Sequence, residues 1–128
     1  MSAAKDADKA KAAPDAELLK SFAEEARRRC DVIAAGLATE SADFETMRTE
    51  AHALKGTAAV VGLRRLAELA GLMESDLAEA KKTGLIRGGR SHQIADAAKA
   101  LADGASAAAE GKEEPPDVGR SLAQLFSA

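Results

Sequence analysis

Apolar residues recur at steps of three and four through four successive stretches of this chain, a period that amphipathic helices produce and strands do not. Leu19, Phe22, Ala26, Cys30, Ile33 and Leu37 fall in step and predict a first helix over about residues 15 to 38. Phe44, Met47, Ala51, Leu54 and Ala58 predict a second, over about residues 42 to 60. Gly62 breaks it. Leu63, Leu66, Ala70, Met73, Leu77 and Ala80 line up a third, with Leu69 and Leu72 widening its buried face. Ile94, Ala98, Leu101, Ala105 and Ala108 give a fourth, over about residues 91 to 110. Its stripe is thin, because Gly104 and many alanines interrupt it. No alternating stretch of useful length competes, and no internal repeat is present. Four one-faced helices joined by short loops predict an all-α fold, an antiparallel up-down-up-down four-helix bundle.

The ends of these helices carry their own signals. Pro14-Asp15 reads as a helix entry, and Ser41 as an N-cap for the second helix with Glu45 near its first turn. Lys81-Lys82-Thr83-Gly84 is a stop for the third, cations followed by a glycine. Gly88-Gly89 marks a loop and Ser91 is the N-cap candidate for the fourth. Residues 1 to 14 mix Ala, Lys and Asp with no hydrophobic face and read as a disordered lead-in. The bundle is expected over residues 15 to 110, closed by Glu113-Glu114-Pro115-Pro116. In the tail, 111 to 128, residues 118 to 126 either form a short appended helix, with Leu122, Leu125 and Phe126 on one side, or stay mobile.

Composition narrows the function classes. The 128 residues are 46% apolar but include only three Phe and no Trp or Tyr, so the core must be aliphatic and rich in alanine. A net charge of −3 is the wrong sign for a general nucleic-acid binder, and stacking platforms for single strands are lacking. The lone Cys30 cannot form an internal disulfide and reads as a small buried core residue. No apolar run approaches the roughly 18 residues that span a bilayer, and the charged N-terminus lacks a signal-peptide core. A soluble cytoplasmic protein is expected.

One local cluster stands apart from this pattern: Ala51-His52-Ala53-Leu54-Lys55-Gly56-Thr57. A helix-interior glycine costs about 1 kcal/mol relative to alanine, so Gly56 needs a reason. At about 100° per residue, His52 lies roughly 120° from the centre of the core stripe, at the solvent boundary. Lys55, Gly56 and Ala59 group around it and Arg48 lies one turn before. Metal binding is a poor match, since the only other histidine, His92, opens a different helix with no cysteine nearby and reads as a surface residue. A di-metal bundle core would need inward Glu and Glu-x-x-His pairs, which fall on no core stripe. Hydrolysis needs a cleft that small bundles seldom have. Nothing resembles a nucleotide-binding loop. The remaining chemistry is nucleophilic: a neutral imidazole attacks a phosphoryl group while Lys55 offsets the incoming charge.

His52-Ala-Leu-Lys55-Gly56-Thr57, then Gly62, Leu66 and Met73-Glu74, resembles the signature of histidine-containing phosphotransfer domains over roughly residues 15 to 110. The resemblance implies a four-helix bundle whose exposed histidine takes a phosphoryl group from the aspartate of a response-regulator receiver domain and passes it to another. It implies His52 as carrier, Lys55 as electrostatic support and Gly56 as space for the partner, with Thr57 and Ala58 fitting the small residues that follow and Gly62 the turn between helices. In the related phosphate-accepting domain of chemotaxis histidine kinases, a glutamate at the spacing of Glu74 hydrogen-bonds the histidine. Glu74 accepting from Nδ1–H would leave Nε2 as the nucleophile; otherwise it is a solvated surface glutamate.

The expectation is therefore a monomeric phosphorelay intermediate with no catalysis, metal or cofactor of its own, the receiver's aspartate pocket and Mg²⁺ stabilising the transition state. Its partners would be receiver domains, including that of a hybrid histidine kinase, docking on small and apolar residues of the first two helices. Ala53, Ala59 and Arg48 are the docking candidates. Arg48, Arg64 and Arg65 read as surface charge or as rim charges facing an acidic receiver pocket. The rivals are a phosphate-accepting domain served by a separate kinase domain and ATP, and a helical adaptor that transfers nothing.

Overall fold

Five helices follow one another through residues 15–127, the part of the chain that the structure, a computed structural model, describes. They are α1 (Ala16–Leu37), α2 (Phe44–Val60), α3 (Arg64–Thr83), α4 (Arg90–Ala109) and α5 (Pro116–Phe126), with no strand among the described residues. The lead-in expected over residues 1 to 14 lies outside the described residues. Around the ring α1 packs on α2, α2 on α3, α3 on α4 and α4 back on α1, with no close backbone approach across either diagonal. This is the expected four-helix bundle, and α5 is added against α3 and α4.

The helix ends explain where the chain turns. Asp15 caps α1, its Oδ1 accepting from the backbone N–H of Glu17 at 2.7 Å. The second helix starts two residues later than expected, and its cap is Asp43 rather than Ser41. The Asp43 carboxylate accepts from the backbone N–H and the hydroxyl of Thr46, at 3.1 and 2.7 Å. Ser41 lies in the preceding turn, out of that position. At the other end Gly62 takes φ 83°, and the Leu63 N–H donates to Ala58 O at 2.9 Å. That is a left-handed stop which a side chain would strain, and it sends α3 straight back along α2.

The core is the aliphatic one that composition requires. Ile33, Met47, Leu54, Leu69, Met73, Leu77, Ile94 and Leu101 are fully enclosed, with Phe22 and Cys30 beside them. Each enclosed leucine contributes about 1.5–3 kcal/mol by leaving water. Cys30 is a packing residue, and burial pushes its thiol up to about 12. The thin stripe of α4 has a structural reason: a Cβ on Gly104 would stand 2.9 Å from Leu66 and 3.1 Å from Val118. Gly104 lets α3 and α5 close on α4 together.

The tail forms a helix that docks, through Val118, Leu122 and Leu125. Phe126, expected on the same side, is exposed, at the last position of the helix and on the edge of that stripe. Arg90 fastens the end of α5. Its guanidinium donates to the carbonyls of Gln124 and Leu125 at 3.0 and 2.9 Å, where a helix leaves its last acceptors unpaired. Its Nε stands 3.0 Å from Asp76 of α3, an ion pair whose N–H is not aligned for a hydrogen bond. Burial raises the Asp76 carboxyl above its ordinary value against the pull of Arg90 and Arg87. This anchoring draws Arg90 into the first turn of α4, so Gly89 rather than Ser91 is the N-cap.

Among the described residues, no helix is long and apolar enough to cross a membrane.

Candidate functional site

The tight turn at Gly62 lays α3 antiparallel to α2 and brings Glu74 level with His52. Glu74 Oε2 lies 2.8 Å from His52 Nδ1. The imidazole is 63% exposed and the glutamate only 16%. Burial pushes the Glu74 carboxyl up, but hydrogen bonds from Lys55 and His52 outweigh it, and the group ends below the usual glutamate range. Near neutral pH Glu74 is therefore an acceptor, and Nδ1 of a neutral imidazole donates its hydrogen to it. That fixes Nε2 as the nitrogen with the lone pair. No described residue bonds Nε2.

Lys55 occupies the other oxygen, its Nζ 3.0 Å from Glu74 Oε1. Its stem runs along α3 at Gly71, where an added Cβ would stand 3.3 Å from Lys55 Cδ. Gly71 was not singled out from the sequence; a second mid-helix glycine, three residues before Glu74, is the signal that could have found it.

Arg48 is more engaged than its place on the wheel suggested. Its Nε and one terminal nitrogen bond Glu45 at 2.7 and 3.1 Å. The other terminal nitrogen stands 3.5 Å from Glu74 Oε2.

On the outer side of α2 the surface is small and apolar. Gly56 is exposed, with nothing within 4 Å of where a side chain would begin. Ala59 is exposed, Ala53 half-buried, and Val60, not anticipated, is 82% exposed. Thr57 turns the other way, its hydroxyl donating to Ala53 O at 3.0 Å and to Glu25 of α1 at 3.3 Å. Beside it Arg29 bridges Glu25 and Glu50 at 2.8 and 2.6 Å, a polar seam between α1 and α2 that has no local sequence signature. Arg64 and His92 are exposed, and Arg65 pairs with Glu114 at 2.9 Å. The large groove between α1 and α4, lined by Lys20, Arg27 and Glu110 among others, does not include His52. Among the described residues no three metal-ligating side chains cluster.

An exposed imidazole with a fixed tautomer, a neighbouring ammonium and an open approach can present a nucleophile to another protein's reactive group. Among the described residues, His52 lines none of the main cavities.

No curated protein matches the chain. The Hpt domain matches residues 17–125, from the first turn of α1 to the last turn of α5, and the chain belongs to this family, with a phosphotransfer role in two-component signalling.

Proposed function

We propose that His52 is the phosphoryl-accepting residue of a phosphorelay intermediate, taking the group from a receiver-domain aspartate and giving it to the aspartate of another receiver. The contact between His52 Nδ1 and Glu74 supports His52 as the acceptor, and the open small-residue surface beside it, suited to a partner protein's rim, supports a receiver as the donor. In the step, the Nε2 lone pair attacks phosphorus, an N–P bond forms, the P–O bond to the aspartate breaks, and the aspartate leaves as a carboxylate. The Nδ1 hydrogen stays on the ring, which gains a positive charge that Glu74 offsets. Lys55, whose flexible stem holds its ammonium on Glu74 beside the ring, compensates the phosphoryl oxygens. Run in reverse, the same step delivers the group onward.

Catalysis belongs to the partner, whose aspartate pocket and Mg²⁺ stabilise the transition state. This chain supplies the nucleophile and a surface. Gly56, Ala59, Val60 and Ala53 give a low surface on which a receiver's rim can settle, with Arg48 and Lys55 at its edge.

A second reading is a domain phosphorylated by a separate kinase domain from ATP; the glutamate contact and the docked α5 favour it. The two part in one experiment. The protein is incubated with a phosphorylated receiver, and separately with a chemotaxis-type kinase domain and ATP. Rapid transfer of an acid-labile phosphoryl group from the receiver supports the relay. Labelling by the kinase alone assigns the second reading, and labelling by neither leaves a helical adaptor.

A further inference from the structure

The two cations that hold Glu74 hold it differently. Lys55 makes one contact from the end of a flexible four-carbon stem and is 47% exposed. Arg48 is 29% exposed, and its planar guanidinium is gripped by Glu45 through two nitrogens. Glu45 is itself fixed from α3 by Lys81, 3.2 Å away, and hydrogen bonds from Arg48 and Lys81 pull its carboxyl down to about 2. The result is a charge ladder across α2 and α3: Lys81, Glu45, Arg48, Glu74, then His52 and Lys55. Lys55 can leave by turning its flexible stem, whereas Arg48 cannot turn away without breaking the Glu45 fork.

We infer that Arg48 is a positioning residue, the stationary cation that keeps the Glu74 carboxylate aimed at His52 Nδ1 when Lys55 leaves Glu74 for the phosphoryl group. The inference rests on the relay reading for the moment at which Lys55 moves. The arrangement itself belongs to the resting protein. Were Lys55 the sole cation on Glu74, its departure would leave the carboxylate free to turn away from the ring and release the imidazole tautomer as the nucleophile is needed. With Arg48 in place, Lys55 is spared.

The test uses the full chain labelled with ¹⁵N-histidine, recorded above the imidazole titration, where nitrogen shifts report which ring nitrogen carries the hydrogen. Exposed His92 is the internal reference. Lys55→Met is expected to keep His52 in the Nδ1–H form, because Arg48 is present. Arg48→Met with Lys55→Met is expected to shift His52 to the pattern of His92, and Arg48→Lys with Lys55→Met to recover at least half of the lost Nδ1–H population. Backbone amide spectra check that each variant is folded. A double variant indistinguishable from Lys55→Met overturns the inference, as does Lys55→Met alone reaching the His92 pattern. An arginine acting only at a receiver's rim would change association with that receiver and leave these spectra unmoved, which also overturns it. No receiver or phosphate enters the experiment, so failure of the relay reading and failure of this inference are separate results.

Discussion

Glu74 of α3 reaches across the helix pair to His52 of α2, Oε2 to Nδ1 at 2.8 Å, so that on the proposed reading Nε2 is the ring nitrogen left to react. A surface histidine without that partner would divide its hydrogen between both nitrogens. Glu74→Ala is expected to slow phosphoryl transfer by about tenfold to a hundredfold, the usual size for loss of a partner that orients a functional histidine. Stopped-flow or quench kinetics with a phosphorylated receiver measure this, while helicity stays unchanged. An unaltered rate would show that orientation of the ring is immaterial.

The same carboxylate ties stability to pH with a definite sign. Its folded pKa lies below the ordinary glutamate value near ~4.3, so the unfolded state binds more protons between the two. Its stabilising contribution is complete above that ordinary value and is lost as pH falls through the lowered folded value. The stability gap between wild type and Glu74→Gln, read from urea midpoints, should therefore shrink as pH falls below about 4. A gap that held or grew below that pH would contradict the ion-pairing.

Gly56 offers a separation of stability from function. Nothing stands within 4 Å of an added Cβ, so Gly56→Ala should stabilise the bundle by about 0.5–1 kcal/mol through helix propensity. Gly56→Leu should keep the fold and reduce transfer from a receiver at least tenfold, by obstructing approach to His52. Thermal melts and transfer rates on the same samples test both halves. Normal transfer by Gly56→Leu would remove access as the reason for the glycine.

Arg90 makes a structural prediction far from the site. Arg90→Met leaves Asp76 sheltered without its cation and the last carbonyls of α5 without a donor. The expected loss is about 3–5 kcal/mol, the range for breaking a buried pair on one side. Adding Asp76→Leu should return most of it, because no unpaired charge is left behind. Urea denaturation of the two variants decides, and equal losses would assign the cost to α5 alone.

The four stripes were legible because a helix that buries one face must repeat its apolar residues at three and four. His52 stood out for a local reason too, since a glycine inside a helix has a cost that packing did not require. The helix caps were harder. Ser41 and Asp43 can each serve as an N-cap, and only the path of the chain places the Asp43 carboxylate against Thr46. Long-range anchoring left no trace: Arg90 reads as a polar residue beside a loop, yet its partners lie 14 residues before it and more than 30 after. The contact of Arg48 with Glu74 was hidden for the same reason. A helical wheel shows which way a side chain leaves its own helix, whereas the register of α2 on α3 decides that Glu74 is there to meet it.

The central claim is that the phosphoryl group resides on His52. The most direct measurement is transfer from a phosphorylated receiver to wild-type protein and to His52→Gln, with circular dichroism confirming that both are folded. The account predicts stoichiometric, acid-labile labelling of the wild type and none of the variant, since the side chain is 63% exposed and its loss leaves the core intact. A folded His52→Gln protein that still accepts the phosphoryl group would contradict it.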